Sequence, residues 1–264
     1  MSDTYDVIEI SARPAKEIAA RLVVLSALCR RAFLERHDPY DDFDEDSADD
    51  SLDDDIDIED AESERFDLVA WLTEERMIAA ATDAEVLVLR APIGNLGELG
   101  AERASWAGES LAALLWSAGL LELAPSYDGP ADLEEALALV PGPGDSTQEF
   151  ARTLRVREEA QLADERERAE LWFWRFAVEG MRRDASASDL QDIEDAIAET
   201  TEEAFGLAMD PAIAPTDFLV DGRPVRGISE ELLDDLTAAA EMRLQAMNWV
   251  CGFGDDWDRV PLEV

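Results

Sequence analysis

The chain is short of most of the groups that carry out chemistry. Its 264 residues hold one histidine (His37), two cysteines (Cys29 and Cys251) and one lysine (Lys16). A lone imidazole leaves any Ser-His-Asp or Cys-His arrangement with a single candidate base. His37 lies beside an acidic run and reads as an exposed residue at a helix C-terminus, where positive charge is favourable. Zinc sites of His and Cys need more ligands than this chain owns. Two distant cysteines make no disulfide scaffold and read as small buried hydrophobes in a reducing compartment. Gly94, Gly97 and Gly100 recur every third residue, but they do not link a strand to a helix as a phosphate or dinucleotide loop would. The longest uncharged hydrophobic stretch, Ser110 to Leu121, is too short to span a bilayer. The opening Met-Ser-Asp-Thr lacks the basic start of a signal peptide. The expectation is a soluble, cytoplasmic protein with no cofactor and no metal centre.

Acid and hydrophobic residues are abundant instead. Sixty-three Asp and Glu oppose 22 Lys and Arg, a net charge of −41, yet 47% of the chain is hydrophobic, with seven Trp and nine Phe. Charge without core-forming residues would indicate disorder; here both are present, in enough chain for a large core. Such acidity repels a phosphate backbone and argues against direct nucleic-acid binding. It argues equally against a polybasic membrane-surface protein. All 21 remaining positive charges are arginine, the side chain suited to bidentate carboxylate pairs. Asp38 to Glu64 contributes −16 of the charge and contains no basic residue. It reads as a mobile, solvated insertion between packed helices, because buried carboxylates need partners. The rest of the chain still carries −25, a pattern that fits adaptation to high salt, where self-repulsion is screened.

Hydrophobic spacing predicts a mainly α, single multi-helix domain over 1–264. Helices are expected over about 13–37, with Pro14 near its start, over 66–80, and after the capping box Thr82-Asp-Ala-Glu85. Others are expected over 101–123 and from Pro130 to Val140. The longest is expected from Ser146 to Arg183, supported by the pairs Arg155–Glu159 and Asp164–Arg168. Its Leu171–Phe176 stretch, Leu-Trp-Phe-Trp-Arg-Phe, reads as buried all round. Two further helices are expected, 188–207 and 229–250. One small β-hairpin is expected near 217–226 about Asp221-Gly222, with Pro224 confining it to an edge.

Candidate chemistry falls to carboxylates and one arginine. Glu109, Glu159, Asp164 and Glu241 lie near apolar helix stretches and are the candidates for a carboxylate site inside a bundle, with or without a divalent metal. For each, the alternative is a solvated or Arg-paired side chain. Arg243, inside an apolar helix, should pair with a buried carboxylate or grip an anionic ligand, with Asn248 beside it. Trp257 reads as a plug folding back from the tail.

The order of these parts resembles an uncharacterised bacterial family, domain of unknown function 4272. The resemblance rests on the Arg21–Arg31 helix, on Trp71-Leu followed by Thr82-Asp-Ala-Glu85, and on Trp106-Ala-Gly-Glu109 with Leu114–Leu121. It continues through the Arg155–Trp172 helix to an Arg243-x-x-Ala-x-Asn-Trp249 ending before Trp257-Asp258. It implies an α-helical domain and no known activity, and the acidic tract stands as an addition. Three functions remain open: a non-enzymatic interaction or accessory protein that binds another protein through its acidic surface, the partner then having a basic one, or through an apolar groove; an enzyme with a carboxylate–arginine site; and an acidic mimic of nucleic-acid charge.

Overall fold

The computed structural model describes residues 10–35 and 58–262. Helices are α1 (Ala15–Glu35), α2 (Ile58–Glu74), α3 (Asp83–Arg90), α4 (Glu98–Ser117), α5 (Leu133–Ala138), α6 (Thr147–Thr153), α7 (Glu159–Asp184), α8 (Leu190–Gly206) and α9 (Glu230–Val250). Strands β1 (Ile213–Ala214), β2 (Asp217–Val220) and β3 (Arg223–Pro224) form one small antiparallel sheet between α8 and α9. The fold is mainly α, as the hydrophobic spacing requires.

The centre of the molecule is α4. From Ala104 onward almost every residue to Ser117 is buried, so α4 packs on α1 on one side and on α9 on another; α9 in turn packs on α7. Gly108 lets α5 come close: a Cβ there would stand 3.1 Å from Leu133 Cδ1. The capping box at Thr82 forms in both directions, Glu85 N–H donating to the Thr82 hydroxyl and Thr82 N–H to Glu85 Oε2. Ser229 likewise caps α9. The hairpin register pairs Leu219 with Pro224 and Val220 with Arg223, which places Pro224 on the edge strand where its missing N–H costs nothing. Beyond the expected hairpin, Ile213 and Ala214 add a third strand against β2.

The expected helix from Ser146 to Arg183 is two helices, α6 and α7, with an extended break between them. Tertiary hydrogen bonds outcompete helix continuation there. Arg155 and Arg157 N–H groups donate to Ala118 and Ser117 carbonyls at 2.9 Å each. The Arg155 side chain donates to the carbonyls of Arg152, Thr153 and Leu154, and Arg157 to those of Trp116, Leu121 and Glu122. Both side chains thus satisfy orphan carbonyls at helix C-termini. The Arg155–Glu159 and Asp164–Arg168 pairs expected of one continuous helix are not the pairs Arg155 and Arg168 make; Arg168 joins Glu165 and Asp210 instead. Within Leu171–Phe176, Trp172, Arg175 and Phe176 are buried, while Leu171, Phe173 and Trp174 stay half-exposed.

The acidic tract is also corrected at its end. Helix α2 begins at Ile58 rather than near Phe66. Glu59 and Asp60 favour its first turn through the helix dipole, Ala61 is buried, and Glu62 forms a bidentate pair with Arg65 while accepting the Ile93 N–H. That guanidinium holds the Glu62 carboxyl below its usual range. Residues 38–57 of the tract, and His37, lie outside the described residues.

Candidate functional site

Arginines on apolar helix faces organise the interior. Arg243 of α9 is buried, and a buried guanidinium must find acceptors for its donors. Its Nε donates to Glu109 Oε2 of α4 at 2.8 Å, and Nη2 lies 2.6 Å from the same oxygen. The remaining donors reach the Ser126 and Gly129 carbonyls of the α4–α5 connection. The other Glu109 oxygen accepts the Ala131 N–H. Two residues predicted from sequence therefore meet. Asn248 also joins the interior: its Oδ1 accepts from Arg166 Nε and its Nδ2 donates to the Pro261 carbonyl, both at 2.8 Å. It ties α7 to the tail.

The other predicted residues do not converge on this pair. Glu159 is exposed and accepts the Ala12 N–H at 3.3 Å. Asp164 is exposed and Glu241 half-exposed. Among the described residues no group of three or more His, Cys, Asp or Glu side chains is placed to hold a metal ion.

Sequence reasoning missed the neighbouring carboxylate, Glu165 of α7. The Tyr127 ring lies 5.3 Å from the Arg243 guanidinium, stacks in parallel on Trp172 at 5.7 Å, and donates its hydroxyl to Glu165 at 3.1 Å. Arg168 closes the other Glu165 oxygen at 3.0 Å. Burial pushes the Glu165 carboxyl up to about 7; the Arg168 charge and the Tyr127 hydroxyl pull it back and Asp210 adds to the rise. The Tyr127 hydroxyl is raised well above its ordinary value by burial and then by Glu165.

A second ionic knot, also unforeseen, holds the sheet on α7. Arg175 grips Asp217 of β2 with two bonds, 2.8 and 3.1 Å, and Glu179 at 3.3 Å. Glu179 is further bound by Arg182 and Arg183. Burial alone would raise this carboxyl, but those hydrogen bonds and the Arg175 charge hold it below its usual value. A third pair, Arg21–Glu85, is buried between α1 and α3. The rule that singled out Arg243 applies equally to Arg21 within Ile18–Leu25 and Arg175 within Leu171–Phe176, so the arginine half of each pair was legible. The carboxylate partners come from sequence-distant elements and carried no signal of their own.

Comparison with known families matches residues 4–198 to the model of a domain of unknown function, DUF4272. The chain belongs to the DUF4272 family. The DUF4272 match takes in the Arg21–Arg31 helix, the Thr82–Glu85 cap, Glu109, all of α7 and the first half of α8. It stops before the sheet and α9, so Arg243, Asn248, Trp249 and Trp257 lie beyond the span that defines the family here. No curated protein and no solved structure matches the chain.

Proposed function

We propose that this DUF4272 protein is a non-enzymatic interaction or accessory protein that meets a basic protein surface with its acidic exterior, in a salt-rich cytoplasm. The observation that carries this reading is the complete engagement of Glu109 and Arg243 by one another and by backbone. Groups held in this way serve packing and are not poised to bind a reacting molecule. On the outside, α8 presents Asp192, Asp195, Glu199, Glu202 and Glu203 and carries no basic residue of its own, while its Glu194 turns to Arg182 and Arg226. Exposed Phe205 and Leu207 lie at the end of the same helix. Carboxylates around a small apolar patch suit steering and capture of a cationic surface.

A second reading, an enzyme, is favoured by one observation alone: Glu165 titrates near neutrality beside a buried tyrosine, as an acid–base group would. The charge-mimic reading rests mainly on residues 38–57, outside the described region. The test is crosslinked capture from the source lysate, comparing the wild-type chain with a Glu199→Gln, Glu202→Gln, Glu203→Gln variant in low and molar KCl. The proposal expects basic proteins retained by the wild type, released by salt and lost with the variant. An identical captured set from both chains contradicts it. Salt adaptation is tested separately: the melting temperature should climb between low and molar KCl, and a salt-indifferent value contradicts that part.

A further inference from the structure

A cleft of about 350 Å³ opens where α1, α4 and α9 meet the C-terminal turn, within the range of about 300–1,000 Å³ typical of small-molecule sites. Buried Leu25 and Leu28 give it an apolar base, and two indoles, half-buried Trp106 and buried Trp257, also line it. The Trp257 ring already receives one cation, the Arg21 guanidinium, 4.6 Å from its centroid.

The charges of the lining are unequal. Glu85 is matched by Arg21. Arg103, the lone basic lining residue, is bound to Asp258 at 2.6 Å. Glu102 is exposed at the rim, and no ion pair engages it among the described residues. A negative carboxylate is therefore left over beside aromatic faces and an apolar base. An apolar anion would meet Glu102 with no free guanidinium to offset it. An apolar cation would gain the carboxylate for its charge and the indoles and apolar base for its body.

We propose that this cleft binds a small organic cation of the arylalkylammonium class, its ring against Leu25, Leu28 and the indoles and its ammonium toward Glu102. None of Glu109, Arg243 or the α8 carboxylates lines the cleft, so the site is independent of the partner-binding reading.

The probes are phenethylammonium and its near-isosteric anion phenylpropionate, titrated into the full chain while the indole N–H signals of Trp106 and Trp257 are followed by NMR. The proposal expects saturable shifts of both signals with the ammonium and at least about tenfold weaker binding of the carboxylate. Glu102→Gln should weaken the ammonium about threefold, and Arg103→Ala, which frees Asp258, should strengthen it by a similar factor. Glu102 is exposed, so its variant keeps the wild-type melting temperature and the affinity change is read on a folded chain. No saturable shift at these two indoles, equal binding of both probes, or variants that leave the affinity unchanged would each overturn the proposal.

Discussion

Arg243 and Glu109, 134 positions apart in sequence, meet in the interior with Nη2 and Oε2 2.6 Å apart. The pair joins α9 to α4, and through the Ser126, Gly129 and Ala131 backbone it pins the connection to α5. Tyr127, between those anchor points, then reaches Glu165. One guanidinium therefore fixes the relative placement of α4, α7 and α9, and its neighbourhood predicts several behaviours.

The Glu165 carboxyl should leave a signature in the pH dependence of stability. Its folded value of about 7 lies above the ordinary 4.5. The folded state thus holds this proton more tightly than the unfolded state. The associated stability is complete below about 4.5 and is lost as pH rises through about 7. Glu165→Gln keeps an acceptor for Tyr127 but does not titrate. The stability of the wild type relative to this variant should fall across that window and level off above it, measured by urea denaturation of both chains. A difference that rises with pH would contradict the assignment.

Both cysteines should be chemically silent in the native state. Burial pushes the Cys29 and Cys251 thiols up to about 12 each, and both are 1% exposed. Since the thiolate is the reactive form, maleimide labelling at neutral pH should be negligible until denaturant unfolds the chain. Rapid labelling of either residue in buffer would show that α1 or the end of α9 opens locally.

Gly119 should tolerate no side chain. Its φ is +74°, and a Cβ would stand 2.5 Å from the Arg155 carbonyl oxygen. Gly119→Ala therefore combines left-handed strain with a backbone clash, and should destabilise by more than about 1 kcal/mol. Gly144→Ala has similar backbone strain, φ +96°, and no atom within 4 Å of the added carbon; it should cost less. Thermal unfolding of the two variants separates strain from collision.

Much of this fold was legible from local signals. The cap at Thr82, the apolar face of α1 and the Asp221-Gly222 turn are determined by neighbours within a few residues. The Leu154–Glu158 break was not legible, because its cause is the end of α4, some 40 positions away. Helicity of the 58–64 stretch was hidden for a related reason: the partner that accommodates Glu62, beyond Arg65, is the Ile93 N–H. At the candidate site, Arg243 was found because an arginine on an apolar helix needs an acceptor. Glu109 was found by its place next to Leu111. Glu165 was lost among the charges of α7, where burial and not residue type distinguishes it.

The central claim is that Glu109 and Arg243 serve architecture alone, and paired substitutions test it most directly. Glu109→Gln or Arg243→Ala by itself leaves an uncompensated buried group and should cost about 3–5 kcal/mol by denaturant unfolding. The double variant Glu109→Leu, Arg243→Met replaces both charges with apolar side chains of similar reach and should recover most of that loss. It should also capture the same lysate partners as the wild type. A double variant that folds to near wild-type stability yet loses its partners would contradict the account and move function into the interior.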